Sequence, residues 1–493
     1  VTDQDVVLDP EVWAELLGVP VPAQWPKQIR GCHPDSRRIR PGMVFVAIKG
    51  HTADGNRFVE DAVRRGAVAV VTDQPVHASV PVAKVENSRR VLALLARTLA
   101  GTPDRELGMT GITGTNGKTS VAGFVHQLME HAGIAAGLLG TVAYRFGERW
   151  IPARRTTPGP PELQEYLRDM VNAGCTECVM EVSSHALNQD RVVGLEFETA
   201  VFTNLSQDHL DYHPSMEAYF DVKARLFEMK GVQHRIVGED RWSALLAERW
   251  NGKVISCGFG EDCTVRAEML QEDLRGSRIQ VTSPWGTRDV LLPMPGRHNV
   301  RNLLQALSVF GARGMLTDQV WEGVEHLKAP QGRLQRIPSV RGDVLVDYAH
   351  TPDALANVLQ TLRPLTEGRL LVVFGCGGDR DRTKRPLMVQ AVAPLADKMI
   401  FTSDNPRTED PGQILRDMVQ GCPDGVTPVM EPDRAKAIGQ AIEEMESEDV
   451  VLIAGKGHET VQEIGANQIP FDDRVVAERW LRQRELYESG VLN

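Results

Sequence analysis

The sequence predicts an α/β fold divided among three domains, and three observations carry that prediction. The 493 residues suffice for about three cores at the usual ~150 residues each. A strand–loop–helix unit is centred on residues 114–120. Through the last third, short apolar runs alternate with helix-compatible stretches, the pattern of a parallel sheet.

Composition narrows the function classes. The net charge of −11 argues against a nucleic-acid-binding surface as the main business. No apolar run approaches the ~18 residues of a membrane span, and the acidic N-terminus lacks the basic and apolar regions of a signal peptide. Seven scattered cysteines fit a reducing cytoplasm. Cys175 and Cys178 form a lone C-x-x-C and read as ordinary buried thiols.

Taken in order, residues 1–104 form the first domain, with an alternating strand at Met43–Ile48 and a second apolar run ending at Val71. A polar turn, Gly101-Thr102-Pro103-Asp104-Arg105, closes it. The second domain, 105–337, opens with the apolar run Leu107–Ile112, then Gly114-Thr115-Asn116-Gly117-Lys118-Thr119-Ser120, then an amphipathic stretch from Val121 to His131. Strand, glycine loop and helix start in that order make a phosphate-binding loop, because glycines let backbone N–H groups wrap the phosphates and the helix N-terminus favours negative charge. Lys118 is placed to reach the β/γ-phosphates and the Thr119 hydroxyl to meet Mg²⁺. The common pattern has glycine where this chain has Ile112, so the loop is a variant.

Further along, the apolar strand Val179-Met180 ends in Glu181, followed by Val182-Ser183-Ser184-His185. A strand-terminal carboxylate beside a nucleotide is a natural Mg²⁺ ligand. Asp208-His209-Leu210-Asp211 offers His209 as a second metal ligand, although a lone histidine near a turn is more often structural. Lys223 lies in the helical stretch Ser215–Glu228 and, taken alone, reads as a surface lysine.

The third domain, 338–493, carries apolar runs at 369–374, 398–401 and 450–454. Each is followed by a polar loop: Gly375–Arg380, Asp404-Asn405-Pro406-Arg407 and Gly455–Glu459. In an open parallel sheet such loops share the carboxyl edge, where ligands bind.

The loop Thr113–Thr119 resembles that of the Mur ligases and their folylpolyglutamate synthetase relatives, enzymes that use ATP to form an amide through an acyl phosphate. The resemblance to the Mur ligase family extends along nearly the whole chain. It includes Asp35-Ser36-Arg37, Thr156-Thr157-Pro158, Glu181 to Gln189 with Arg191, Gly296–Asn299 with Asn302, Val346–Pro352 and the three C-terminal loops. It implies an N-terminal domain that binds a uridine diphosphate, a central ATPase-like domain and a C-terminal Rossmann-like domain.

By position, the resemblance assigns Ser36, His51, Thr52 and Ala53 to the uridine diphosphate end of a UDP-N-acetylmuramoyl-dipeptide. Thr156, Thr157, Ser183, Gln189 and Arg191 would hold its muramoyl-dipeptide end. Asn302, Arg333, Asp347 and Tyr348 would contact the adenosine of ATP. Arg380, Asp404, Asn405, Pro406, Arg407, Gly455 and Glu459 would hold an incoming amino acid. Lys118, Glu181, His209 and Lys223 would be catalytic, with Thr119, Glu181, His209 and Lys223 serving two Mg²⁺ sites. In this family the lysine at position 223 reacts with CO₂ to give a carbamate, which requires a neutral amine. Two departures stand out: Arg155, where some relatives place an uncharged residue, and Thr383, where a glycine is often found.

Arg407 points to meso-2,6-diaminopimelate as the amino acid, since its guanidinium suits the distal carboxylate while Glu459 can accept the distal ammonium. A lysine-adding relative is the alternative. A folylpolyglutamate synthetase has no use for residues 1–104, and a non-catalytic scaffold has no use for the intact Lys118, Thr119, Glu181, His209 and Lys223. The expected protein is a cytoplasmic monomer acting on small molecules, with neither nucleic acid nor membrane insertion.

Overall fold

A computed structural model describes residues 6–50, 53–210, 212–251 and 253–488. Among them, three main sheets carry three separate sets of cores. The first sheet is parallel, in the order β1 (Gly31–His33), β2 (Met43–Ala47), β3 (Ala69–Thr72), β4 (Val82–Lys84). The sequence reads β2 as an alternating strand, yet all five of its residues are buried. The reason is that both faces are covered: Val44 and Val46 enter one core, while Met43, Phe45 and Ala47 enter another.

The central sheet has 11 strands. Its strands are β5 (Gly108–Thr113), β6 (Ala136–Leu139), β7 (Ala143–Phe146), β8 (Arg149–Pro152), β9 (Glu177–Glu181), β10 (Thr199–Phe202), β11 (His234–Val237), β12 (Ile255–Gly258), β13 (Val265–Asp273), β14 (Gly276–Ser283) and β15 (Gly286–Leu292). They stand in the order β8-β7-β6-β9-β5-β10-β11-β12-β13-β14-β15. β5 lies between β9 and β10, parallel to both, with Ile112 opposite Glu181 and Thr113 opposite Phe202. This register brings the ends of three strands level where the chain leaves β5. Helix α1 (Lys118–His131) follows, burying Val121, Phe124, Val125 and Leu128 on one side of the sheet with α3 (Arg297–Ala312). Helix α2 (Met216–Ala224) belongs to the opposite face.

The third sheet runs β16 (Gln335–Ile337), β17 (Asp343–Asp347), β21 (Val450–Ala454), β18 (Leu370–Phe374), β19 (Lys398–Phe401), β20 (Val429–Met430), parallel except for β16. Every residue of β18 and β21 is buried, as the continuous apolar runs predict. A hairpin, β22 (Val461–Ile464) and β23 (Asn467–Pro470), precedes the last helix, Asp473–Glu488. Polar contacts join the parts: Arg38 to Glu162 (2.8 Å), Asn87 to Asp190 (2.7 Å), Lys384 to Asp208 (2.7 Å) and Asn116 to Asp353 (3.2 Å).

Candidate active site

The loop between β5 and α1 is pinned from the end of β10. Asn204 accepts from the Asn116 N–H (3.0 Å), and its backbone carbonyl accepts from Thr115 (2.9 Å). The Thr203 hydroxyl donates to the Asn116 carbonyl (2.5 Å). Gly114 (φ 144°) and Gly117 (φ 85°) occupy backbone conformations that favour glycine. A Cβ on Gly114 would lie 1.9 Å from Thr203 Oγ1, and one on Gly117 would lie 2.5 Å from Asn302 Oδ1. Asn302 of α3 therefore abuts the loop. Lys118 Nζ donates to the carbonyls of Gly114 (2.9 Å) and Thr115 (2.7 Å), and burial pulls its ammonium below the ordinary lysine range.

Glu181, at the end of β9, is the hub beside this loop. Its carboxylate accepts from the Thr119 hydroxyl (3.0 Å), the Thr141 hydroxyl (2.9 Å) and the Thr141 N–H (2.7 Å). A threonine hydroxyl and a carboxylate meeting at a helix N-terminus, with phosphate oxygens to add, form a donor set that Mg²⁺ takes. Among the described residues no group of three or more His, Cys, Asp or Glu is assembled for a metal.

Lys223 supplies the most unusual chemistry. It is 1% exposed, and its Nζ donates to the same Gly114 carbonyl as Lys118, at 2.7 Å. Burial, with Lys118 adding repulsion, drives its amine well below the ordinary lysine range. The Tyr219 ring lies 4.6 Å beneath it. Asp208 and His209 lie near, their side chains 3.5 Å apart. His209 has φ 53°, and burial pulls its imidazole down to about 4 despite Asp208, leaving it neutral and able to ligate. Burial acts to raise the Asp208 carboxyl, but His209, His350 and Lys384 outweigh it and hold the group low.

The residues expected to hold the muramoyl-dipeptide lie beyond Glu181. Thr157 donates to the Glu181 carbonyl (2.8 Å) and accepts from the Ser183 N–H (3.1 Å). Arg191 donates to the Thr157 carbonyl (3.0 Å) and to Gln189 (2.7 Å), while Thr156 meets Thr141 at 3.1 Å. Arg155 is exposed, and its backbone carbonyl accepts from Tyr144 (2.6 Å). In the first domain Ser36 is buried. The Ala53 carbonyl accepts from Gly50 (2.9 Å), and His51 and Thr52 lie outside the described residues.

On the C-terminal side, the Asp347 carboxylate accepts from the N–H groups of Leu334 (2.6 Å) and Ala349 (2.7 Å), and the Arg333 guanidinium lies 4.3 Å over the Tyr348 ring. The three loops meet as the carboxyl-edge rule predicts. Lys456, fully buried, donates to Asn405 (3.0 Å) and Glu459 (2.9 Å), and Asn405 also donates to Glu459 (2.9 Å). Burial acts to raise the Glu459 carboxyl, but Lys456 holds it below its usual range. A Cβ on Gly455 would lie 2.6 Å from Asp404 Oδ2. Arg434 and Asp473 form a fully buried ion pair (2.7 Å), and Arg434 also donates to the Ala454 carbonyl (2.9 Å). Pro406 is buried, and Arg380 is exposed beside Gly377.

Sequence reasoning missed Thr141, Asp208, Lys384, Lys456 and Arg434. Lys456 lies in the loop Gly455–Glu459, and its place directly after an apolar strand is the signal that marks it.

Three family descriptions match the chain: "Mur ligase family, catalytic domain" over residues 28–99, "Mur ligase middle domain" over 112–310, and "Mur ligase, glutamate ligase domain" over 332–457. The UDP-N-acetylmuramoyl-L-alanyl-D-glutamate–2,6-diaminopimelate ligase of Geobacillus thermodenitrificans (strain NG80-2) is 44% identical over 460 residues, covering 91% of this chain and 94% of that one. A solved structure of a ligase of the same name superposes with a TM-score of 0.71 at 33% identity, covering 98% of this chain and 100% of the other. Mycobacterium tuberculosis folylpolyglutamate synthase, solved with ADP and AMPPCP, covers 74% of this chain and 91% of its own at 22% identity and a TM-score of 0.59. That last likeness is one of fold alone.

Proposed function

This chain belongs to the Mur ligase family, and we propose that it joins meso-2,6-diaminopimelate to UDP-N-acetylmuramoyl-L-alanyl-D-glutamate in peptidoglycan precursor synthesis. It is an ATP-dependent amide-forming ligase. The observation that carries the chemistry is the convergence of Lys118 and Lys223 on one loop carbonyl, with Glu181 bonded to Thr119 beside them. The reading divides the chain at 104/105 and 337/338, with uridine diphosphate on the first domain, ATP on the second and the amino acid on the third.

A carboxylate is a poor electrophile, so it must be activated. The D-glutamyl γ-carboxylate attacks the γ-phosphate of ATP, giving an acyl phosphate and ADP. Lys118 neutralises charge on the transferring group, and the loop N–H groups orient it. Mg²⁺, held by Thr119 and Glu181 and at a second site by His209 and Lys223, would supply further charge neutralisation. Thr156, Thr157, Ser183, Gln189 and Arg191 hold the dipeptide so that its carboxylate faces the phosphate. The neutral amine of the amino acid then attacks the acyl carbon, phosphate leaves, and the amine gives up a proton.

Lys223 enters as a carbamate. Its neutral amine adds to CO₂ and releases a proton, so a neutral buried amine becomes an anion beside Lys118. Arg407, Asp404, Asn405 and Glu459 select the amino acid by its distal carboxylate and ammonium, with Arg380, Pro406 and Gly455 completing the pocket. The seven free thiols and the use of ATP favour a cytoplasmic setting, and we take the active unit to be a monomer.

The test supplies ATP and Mg²⁺ with either the UDP-linked dipeptide plus diaminopimelate or a folate plus glutamate. ADP release with the first pair alone is expected. Release with the folate pair overturns the assignment, and no release with either identifies a non-catalytic scaffold.

A further inference from the structure

The hairpin β22–β23 carries no role in the reading above, yet it is sewn to the loop that reads the amino acid. Gln462 donates to the Asp404 carbonyl (2.7 Å), and the Glu463 N–H donates to Asn405 Oδ1 (3.0 Å). The Arg407 N–H donates to the Glu463 carbonyl (3.0 Å), and the Gly465 N–H donates to the Arg407 carbonyl (2.6 Å). Those two bonds hold Arg407 at φ 52°, a conformation a non-glycine residue seldom adopts unless its surroundings impose it.

The side chain is held as firmly as the backbone. Arg407 Nε donates to Glu463 Oε2 at 2.8 Å, and Nη1 donates to the Gly378 carbonyl at 2.8 Å. Gly378 is itself held, its N–H donating to the Asn405 carbonyl (2.9 Å), and it has no room for a side chain, since a Cβ there would lie 1.9 Å from the Pro406 carbonyl oxygen. A guanidinium has five N–H donors, so these two bonds orient the fork and leave the others for a ligand. With 24% of its side chain accessible, Arg407 can still be reached.

We propose that Glu463 is a specificity-determining positioning residue: by gripping Nε it aims the remaining N–H groups of Arg407 at the distal carboxylate of the amino-acid substrate. The inference rests on diaminopimelate being that substrate. Glu463 could instead take the distal ammonium directly. Lysine and diaminopimelate both carry that ammonium, whereas only diaminopimelate carries the carboxylate, so the two roles separate by substrate.

The test is kcat/KM for meso-diaminopimelate and for lysine in the parent, Glu463→Gln, Glu463→Ala, Arg407→Ala and the double variant Arg407→Ala/Glu463→Ala. Glu463→Ala is expected to lower the diaminopimelate value on the order of 10-fold, mainly through KM, and the lysine value far less. Glu463→Gln, whose amide oxygen can still accept from Nε, restores most of the preference. In the Arg407→Ala background, Glu463→Ala leaves the preference ratio unmoved. An equal loss for both substrates, an unchanged ratio in Glu463→Ala, or a further shift in the double variant overturns the role. Thermal midpoints separate misfolding from mis-aiming, and a destabilised Glu463→Ala leaves the Gln variant and the lysine control to decide. A parent enzyme without preference for diaminopimelate overturns the substrate reading, and this role with it.

Discussion

Single side chains decide the chemistry here, and each has a distinct expected signature. On the proposed mechanism Lys118→Ala removes the charge that meets the transferring phosphoryl group, so ligation should fall on the order of 10²-fold or more in steady-state assays. Activity within a few-fold of the parent contradicts the loop assignment. If Lys223 is carbamylated as proposed, Lys223→Ala should be nearly inactive and partly rescued by short carboxylic acids, which can occupy the place of the carbamate; a tolerant variant contradicts the proposal. Residues legible in the sequence were those in unbroken motifs, such as Gly114–Ser120 or Asp404–Arg407. Thr141 and Glu463 were not legible, because each matters through a partner 40 or 56 positions away that only the fold brings near.

At the level of elements, the candidate active site follows from register. β5, β9 and β10 end together, so the phosphate loop, Glu181 and Thr203 meet without any long-range adjustment. The loop has no room for a side chain at its first glycine. Gly114→Ala is expected to abolish nucleotide binding by calorimetry while the protein stays folded, since the added Cβ collides with Thr203 at the loop alone. Retained affinity contradicts this account of the loop. The parallel strands of the third domain were legible from their apolar runs and trailing loops. β2 was legible as a strand but not as one buried on both faces, because a strand covered on both faces differs from a half-exposed one only in what packs on it.

For the whole molecule, three histidines shape acid stability. His209, His298 and His458 are each pulled down to about 4, with burial the largest cause in every case. Unfolding returns them to about 6.5, so between pH 6.5 and about 4 the unfolded chain binds protons that the folded chain refuses. Stability is therefore full above pH 6.5 and falls as the pH drops through that window. His298 alone contributes up to roughly 3 kcal/mol of that loss. Thermal midpoints from pH 7.5 to 4.5 should decline across the window, less steeply in His298→Gln; a flat profile contradicts the shifts. The three-domain plan was legible from length and motif order. The interdomain contacts of Lys384 with Asp208 and Asn116 with Asp353 were not, since nothing local marks either partner.

On the function proposed above, one chain activates the UDP-linked dipeptide with ATP and selects meso-diaminopimelate to receive it. The most direct measurement is ligation of meso-diaminopimelate, LL-diaminopimelate and lysine in parallel, following the product by mass and ADP by coupled assay. One ADP per amide bond is expected, with a kcat/KM for meso-diaminopimelate well above that for lysine. In Arg407→Ala that preference should collapse, because truncating one side of a hydrogen-bonded charge pair commonly costs about 2–5 kcal/mol for the ligand that carries the partner charge. A parent that prefers lysine, or an Arg407→Ala variant that loses both substrates equally, contradicts it.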